Sequence, residues 1–296
     1  MLSSLKKSII LIFLSVFCVS IVFSQGSYIL TETVGARALG MGEAFTAVSD
    51  DVNAIYWNPA GIALLARPEF GAMFLENVED SKYTFLGMVY PFEKISFGAS
   101  YASFDGGAMD IFTESGVKTV NANKDYVGIL SAGKSNFFRN CDAGVSIKML
   151  SSTLIEKYAA SSYAVDLGIL KKVRKISFGL AIQNIGPGIK YMTQSESLPL
   201  TIRTGASYNL VNSDKHILLA AGDLIKVSDE RVKFNLGAEY WYVKVFALRV
   251  GYKAGYDSDS ITWGFGFNFR KYKFDYGVGL LGDFGLTNRM SFSIVF

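Results

Sequence analysis

The chain has 296 residues with a formal net charge of +3, is 50% hydrophobic and 14% aromatic, and contains 29 glycines but only 5 prolines. This charge balance excludes a nucleic-acid binder, which would present a basic face. No apolar run long enough to span as a helix follows residue 24, so so apolar a chain must hide its surface in a β-sandwich core or in a closed barrel solvated by lipid.

Residues 1–24 read as a secretory signal peptide: Lys6 and Lys7 form a basic start, Ser8 to Phe23 an apolar stretch, and Val22-Phe23-Ser24 a cleavage site before Gln25. The 16 residues between Lys7 and Ser24 fall short of a spanning helix, which needs about 20. Cys18 follows Phe17, which is too bulky for lipoprotein processing. The mature chain retains a charge of +1 and a single cysteine, Cys141, so it forms no internal disulfide.

Residues 25–68 lack strand alternation and are expected to form an N-terminal hatch. Gly35, Gly40, Gly42 and Gly61 supply tight bends around Arg37, Asp50, Asp51, Asn53 and Trp57. Two helix starts are expected, at Ser49-Asp50 and at Asn58-Pro59, the latter with Pro at the first helical position. Gly40-Met41-Gly42 is no dinucleotide fingerprint, because residue 45 is Phe and no strand-to-helix unit surrounds it. Asp50 and Asp51 fit helix capping better than metal ligation.

From residue 69 to 296 the chain breaks into segments of about ten residues with period-2 alternation, the pattern of tilted membrane strands. Fourteen are expected, at 69–77, 82–91, 94–104, 124–133, 141–151, 159–171, 175–185, 200–209, 214–225, 232–241, 245–255, 260–270, 271–280 and 289–296. In the last five, one face carries residues such as Phe234, Leu248, Val250, Trp263, Phe265, Phe267, Val278 and Met290. The other carries small, polar or charged ones such as Gly237, Gly251, Gly264 and Gly277. Alternating glycine suits an interior packed against something, so the barrel is favoured over the sandwich. Connections alternate too: 91–94, 171–175, 242–244 and 270–273 are tight and belong on the periplasmic side, whereas 105–123, 186–199 and 281–288 are long and belong outside. Eight strands are filled by side chains and sixteen leave a channel, so about fourteen enclose a lumen that needs a plug.

The alternation turns Lys148, Asp166, Arg203, Glu239, Arg249 and Asp275 toward the lumen. Such mixed charge is inexpensive only against water, a partner or the hatch, and it serves either as a lattice anchoring the hatch or as a selectivity filter. His216 is the sole histidine and has no second His or Cys for zinc. No catalytic residues, cofactor or metal are expected, and an enzyme in the barrel wall has no positioned nucleophile. The terminal strand ends on Phe292 and Phe296, which resembles the signal read by the barrel-assembly machinery.

Several motifs resemble the FadL-like outer-membrane proteins and, more closely, their PorV/PorQ branch. They are Ala36-Arg37-Ala38-Leu39-Gly40-Met41-Gly42, Ser49-Asp50-Asp51, Tyr56-Trp57-Asn58-Pro59-Ala60-Gly61, Val165-Asp166-Leu167-Gly168, Gly179-Leu180-Ala181-Ile182-Gln183-Asn184, Leu236-Gly237-Ala238-Glu239-Tyr240, Leu248-Arg249-Val250-Gly251-Tyr252 and Gly282-Asp283-Phe284-Gly285. The resemblance implies a fourteen-stranded barrel with an N-terminal hatch in the bacterial outer membrane. Its partners would be outer-membrane lipid, the assembly machinery, and either a small hydrophobic ligand or secretion-system proteins. Apolar residues in the outer loops, Met109, Ile111 and Phe112 in one and Ile189, Tyr191 and Met192 in another, favour passive transport of a small hydrophobic molecule. The competing expectation is a PorV-like anchor in a type IX-like secretion system.

Overall fold

The computed structural model describes residues 28–76, 81–113, 116–257, 260–280 and 285–296. The signal-peptide reading and Gly282, Asp283 and Phe284 lie outside them. Eighteen strands are present among the described residues: β1 (Glu69–Glu76), β2 (Lys82–Phe92), β3 (Ile95–Asp105), β4 (Ala108–Thr113), β5 (Gly116–Asn121), β6 (Asn123–Phe138), β7 (Cys141–Leu154), β8 (Tyr158–Val173) and β9 (Ile176–Ile185) in the first half. The second half holds β10 (Ile189–Tyr191), β11 (Gln194–Glu196), β12 (Thr201–Asn212), β13 (His216–Val227), β14 (Lys233–Tyr242), β15 (Phe246–Ala254), β16 (Ser260–Phe269), β17 (Tyr272–Leu280) and β18 (Leu286–Val295).

Fourteen of these strands close a single antiparallel barrel in sequence order, with β4–β5 and β10–β11 left as separate hairpins. Closure joins β1 to β18 from Glu69↔Val295 to Leu75↔Arg289, and the Phe296 amide donates to the Pro68 carbonyl at 2.9 Å. A closed ladder leaves no unpaired edge facing hydrocarbon, where an orphaned N–H or C=O costs several kcal/mol. No described helix is long and apolar enough to cross a membrane.

The alternation sorts the side chains as the sequence implies. Leu236, Leu248, Val250, Trp263, Phe267 and Met290 are exposed on the outer wall, whereas Asn235, Glu239, Arg249 and Thr262 are buried inside. Val278 departs from the pattern: although on the outer face, it is only 2% exposed, set between its cross-strand partners Trp263 and Asn288.

Two expectations need correction. The segments 105–123 and 186–199 are not plain loops, since each folds into a hairpin. β6 also runs to Phe138 rather than stopping at residue 133, with a register shift between Lys134 and Phe138. At one end of the barrel the strands are joined by short turns that use positive φ at Glu93, Arg139, Arg174, Val243 and Arg270. At the other end stand the longer connections and both hairpins. The β4–β5 ribbon continues the β3–β6 pair beyond the rim, through backbone bonds from Gly106 to Asn123 and from Ala122 to Gly107.

Outward facing sets a depth-graded cost. Val250→Arg and Phe265→Arg, near the middle of their strands, are expected to destabilise the barrel by roughly 2–4 kcal/mol, and Phe269→Arg at the rim by about 0–1 kcal/mol. Reversible urea unfolding in lipid vesicles measures all three, and equal costs would mean that the membrane does not cover this wall.

Candidate functional site

The N-terminal segment lies inside the barrel. It is built from a 3-10 turn at Tyr28–Leu30, helices at Ala36–Gly40 and Ala54–Trp57, and a 3-10 helix at Pro59–Leu64. Gly35 enters the first helix at φ 92°, and Gly42 turns the chain after it at φ 61°, conformations that favour a residue without a Cβ.

The wall receives this segment through glycines. A Cβ on Gly144 would lie 2.2 Å from the Pro59 carbonyl carbon, on Gly168 2.1 Å from Asn58 Oδ1, and on Gly179 2.4 Å from the Thr46 oxygen. Across the lumen, Gly237 would meet the Met41 oxygen at 2.2 Å, Gly251 the Gly42 nitrogen at 2.1 Å, and Gly277 the Ala36 oxygen at 2.4 Å. The inward glycines thus let backbone approach backbone, as a strand glycine does where another chain comes close.

Close approach puts amides of the segment within reach of polar wall side chains. Ala36 N–H donates to Ser291 Oγ at 2.9 Å and Gly42 N–H to Thr262 Oγ1 at 3.0 Å. Asp223 Oδ2 accepts from Phe45 N at 3.0 Å, Thr46 N at 2.9 Å and Thr46 Oγ1 at 2.6 Å. Sequence reasoning did not single out Asp223. Its signal was a lone carboxylate in the apolar strand His216–Val227, on the side the alternation turns inward.

The six inward charges fall into two groups. In the first, Glu239 takes a two-pronged contact from Arg37, at 2.8 Å from both Nε and Nη2, and a third bond from Arg249 Nε at 2.7 Å. Arg249 Nη1 continues to Asp275 at 2.7 Å, and Arg37 Nη1 also reaches Asp50 at 2.5 Å and Asp51 at 3.1 Å. Burial disfavours the Arg37 charge, but Asp50 and Glu239 outweigh it and hold its proton more tightly than usual. A cavity of about 260 Å³ at the short-turn end borders this group, lined by Arg37, Asp50, Asp51, Arg249, Asp275 and the Lys273–Glu69 pair among others.

The second group stands on the opposite wall. Lys148 Nζ lies 2.7 Å from both Asp166 and Asn184 Oδ1, and 5.5 Å from the Tyr56 ring centroid. Arg203 donates to Gln183 at 2.8 Å and stacks 4.7 Å over the Trp57 ring, a cation–π contact in a desolvated setting. Gln183 in turn donates to the Tyr56 carbonyl.

The remaining hatch residues are placed as follows. Trp57 is fully buried and donates Nε1–H to the Val34 carbonyl at 2.8 Å. Asn58 caps the 3-10 helix by accepting from Ala60 N, with Pro59 at its start, and its amide donates to the Thr46 carbonyl at 3.0 Å. A Cβ on Gly61 would lie 2.0 Å from the Ser49 oxygen. Gly40 packs against Gly264, and Gly35 against Asn53. The expected helix start at Ser49-Asp50 is incorrect: the helix begins at Ala54, behind Asn53, without a side-chain cap. Asp50 pairs with Arg37 instead, and Asp51 accepts from the Asn53 amide at 2.9 Å. Beyond these, Glu43 pairs with Lys253 and Glu32 with Arg289. Burial raises Glu43, but Lys253 and Thr33 reverse that and bring it to about 2.

Toward the long-loop end the lumen holds an apolar cluster beside paired polar groups, among them Asp125 with Ser152 and Glu32 with Arg289. Ile29, Leu30 and Val34 pack with Tyr83, Phe85, Phe104, Leu150 and the loop residues Ile189 and Leu198. The β10–β11 hairpin folds inward here, with Tyr191 Oη bonded to Ser152 Oγ at 2.6 Å. The β4–β5 ribbon stands outside, and its Phe112 is 87% exposed. His216 Nδ1 lies 2.7 Å from the Tyr240 hydroxyl, and among the described residues no group of His, Cys, Asp or Glu is arranged to hold a metal. Phe292 and Phe296 both face outward.

The model of an uncharacterised protein family (UPF0164) matches residues 25–152. No curated protein sequence matches significantly. Among solved structures, the Ralstonia pickettii toluene transporter TbuX superposes with a TM-score of 0.65 at 14% identity, covering 90% of this chain and 99% of that one. The Pseudomonas putida toluene transporter TodX gives 0.64 at 11% identity, with 90% and 99% covered. A Pseudomonas aeruginosa FadL homologue gives 0.54 at 11% identity, with 93% and 99% covered. The fold is therefore that of the FadL-type outer-membrane barrels.

Arg249→Ala would leave Asp275 without its 2.7 Å partner and Glu239 with Arg37 alone. Removing one partner of a buried ionic group costs roughly 3–5 kcal/mol, whereas Asp223→Ala, which strands the Thr46 amide and hydroxyl and leaves the Phe45 amide to the Glu43 carbonyl, costs about 1–3 kcal/mol. The temperature at which the folded gel band converts to the unfolded one is expected to drop further for Arg249→Ala. The reverse order would mean that the ionic group does not hold the segment.

Proposed function

We propose that the chain is a plugged outer-membrane channel for passive transport of small hydrophobic molecules, with residues 1–24 a cleaved export signal, 25–68 the hatch and 69–296 the barrel. The observation that carries this reading is the apolar cluster in the long-loop half of the lumen, Tyr83, Phe85, Phe104, Leu150 and Ile189, beside which the buried polar groups are paired off, Asp125 with Ser152 and Glu32 with Arg289. An aqueous pore would present a polar interior, whereas an apolar one lowers the cost of admitting a molecule without charge. Similarity in fold to proteins described as toluene transporters supports the same substrate class. In this reading the inward charges Lys148, Asp166, Arg203, Glu239, Arg249 and Asp275 anchor the hatch, and the outward Phe292 and Phe296 belong to the segment recognised by the barrel-assembly machinery.

A second reading, a PorV/PorQ-like anchor for secretion proteins, is favoured by the projecting β4–β5 ribbon, which offers Phe112 and Val117 to solvent. Toluene uptake into liposomes separates the two. Uptake above protein-free liposomes is expected for the channel, and its absence together with recovery of protein partners from the outer membrane would favour the anchor.

The hatch has its own test. Deleting residues 29–66 removes the segment but keeps all fourteen barrel strands, and an unplugged lumen of this strand number is wide enough for water. Planar-bilayer recording is expected to give a large, nonselective ion conductance for the deletion and a smaller leak for Asp50→Ala with Asp51→Ala. Equal, low conductance in deleted and intact proteins would show that the segment does not occlude the lumen.

A further inference from the structure

The charged residues that the lumen does not use are divided unequally between the two ends. Each of the six short turns carries an exposed cation: Lys94, Arg139, Arg174, Lys215, Lys244 and Arg270. Lys172, Lys175 and Lys271 add to them, against Glu93, Asp142 and Asp214 as the acids of the same turns. At the opposite end the described loops set acids beside their cations, as in Glu156-Lys157 and Asp229-Glu230-Arg231. The mature chain's net charge is only +1, so the cation excess at this rim is balanced by acids elsewhere in the chain.

The rim cations sit on the edge of the lipid-facing wall. Arg139 lies 5.1 Å over the Phe138 ring, Arg270 5.4 Å over Phe269 and Lys271 5.5 Å over Tyr272, and all three rings are exposed on the outside. Such rings form the aromatic girdle where hydrocarbon gives way to headgroups, so the cations above them stand at headgroup height.

We propose that the short-turn rim is a binding ring for anionic glycerophospholipid headgroups of the adjacent leaflet. This rests on the membrane reading of the barrel but not on what the lumen carries. Juxtamembrane Lys and Arg are attracted to anionic lipid surfaces. The distribution favours lipid over an acidic protein, because the cations encircle the barrel on all six turns as a lipid annulus does, whereas a docked protein would call for a patch on one side.

The test reconstitutes the full chain in vesicles of equal parts phosphatidylglycerol and phosphatidylcholine, then counts by native mass spectrometry the lipids retained on extraction. Phosphatidylglycerol is expected to be enriched severalfold, less so at high salt. Each rim cation contributes up to about fivefold in lipid partitioning, so changing all six to Gln is expected to bring the ratio to parity. Lys118→Gln with Lys157→Gln and Lys190→Gln, at the other end, is expected to leave it unchanged. Heat-modifiable migration reports folding; should the sixfold variant fail to assemble, Arg174→Gln with Lys175→Gln and the salt dependence of the unaltered protein carry the test. Parity in the unaltered protein overturns the proposal, as does enrichment that survives rim neutralisation or capture of an acidic protein without lipid preference. Toluene uptake measured on the same vesicles fails or succeeds independently, and so separates this proposal from the channel reading.

Discussion

The structure depends on how closely the N-terminal segment can approach the barrel wall. Inward glycines such as Gly144, Gly179, Gly237 and Gly251 leave no side chain between the two backbones, and the hypothetical Cβ positions would all clash. A wall of ordinary residues would hold the segment several ångströms farther in, out of hydrogen-bond reach of Ser291, Thr262 and Asp223. Ser291 and Asp223 accept from the Ala36 and Thr46 amides, and Thr262 gives the Gly42 amide a second acceptor besides the Leu39 carbonyl. Each such bond contributes only about 1 kcal/mol net, but each costs more if left unmade in a closed interior. The glycines therefore do more than make room, since they decide whether the polar groups of the segment can be satisfied at all.

That constraint also accounts for the inward charges. Six ionisable side chains inside a closed barrel would each carry a desolvation penalty that isolated burial cannot offset. Here Glu239 receives two guanidinium groups, one from the wall and one from the segment, and Lys148 meets Asp166 while facing the Tyr56 ring. Arg203 has an aromatic face and an amide oxygen rather than a carboxylate. Mixed partners of this kind make wall and segment mutually dependent: removing the segment would strip Glu239 of Arg37, and Lys148 and Arg203 of their rings.

How far the sequence disclosed this follows from the range of each interaction. Strand positions and facing were legible because an apolar outer wall around a packed interior enforces period 2, and Ser260–Phe269 lies within one residue of its expected bounds. Beyond the barrel wall nothing imposes apolar alternation, and the β4–β5 hairpin and the end of β6 carry no period-2 signal to mark them. The six inward charges were legible by parity alone, but their partners were not, since Arg37 and Glu239 lie 202 residues apart. Asp50 and Asp51 illustrate the limit. Their local pattern suits a helix cap, and a long-range bond to Arg37 prevailed over it. Asp223 escaped notice because its neighbours Leu218, Leu219, Leu224 and Ile225 read as core.

The lumen consequently divides along its axis. Near the short-turn end Arg37, Asp50, Asp51, Glu239, Arg249 and Asp275 form a charged group bordering a cavity, while near the long-loop end Ile29, Leu30 and Val34 pack among aromatic and aliphatic residues. The two halves resist separation differently. Apolar contacts are nondirectional and weaken gradually as groups slide, at roughly 25 cal/mol per Å² exposed. The ionic and amide contacts are directional and are lost within about an ångström of displacement. Residues 29–34 combine both kinds of contact, since Ile29, Leu30 and Val34 pack among apolar residues while Glu32 pairs with Arg289 and Thr33 donates to Glu43. In the channel reading we propose, a small apolar molecule entering from the long-loop end meets the apolar cluster before the charged group, and its own surface substitutes for the nondirectional contacts it displaces.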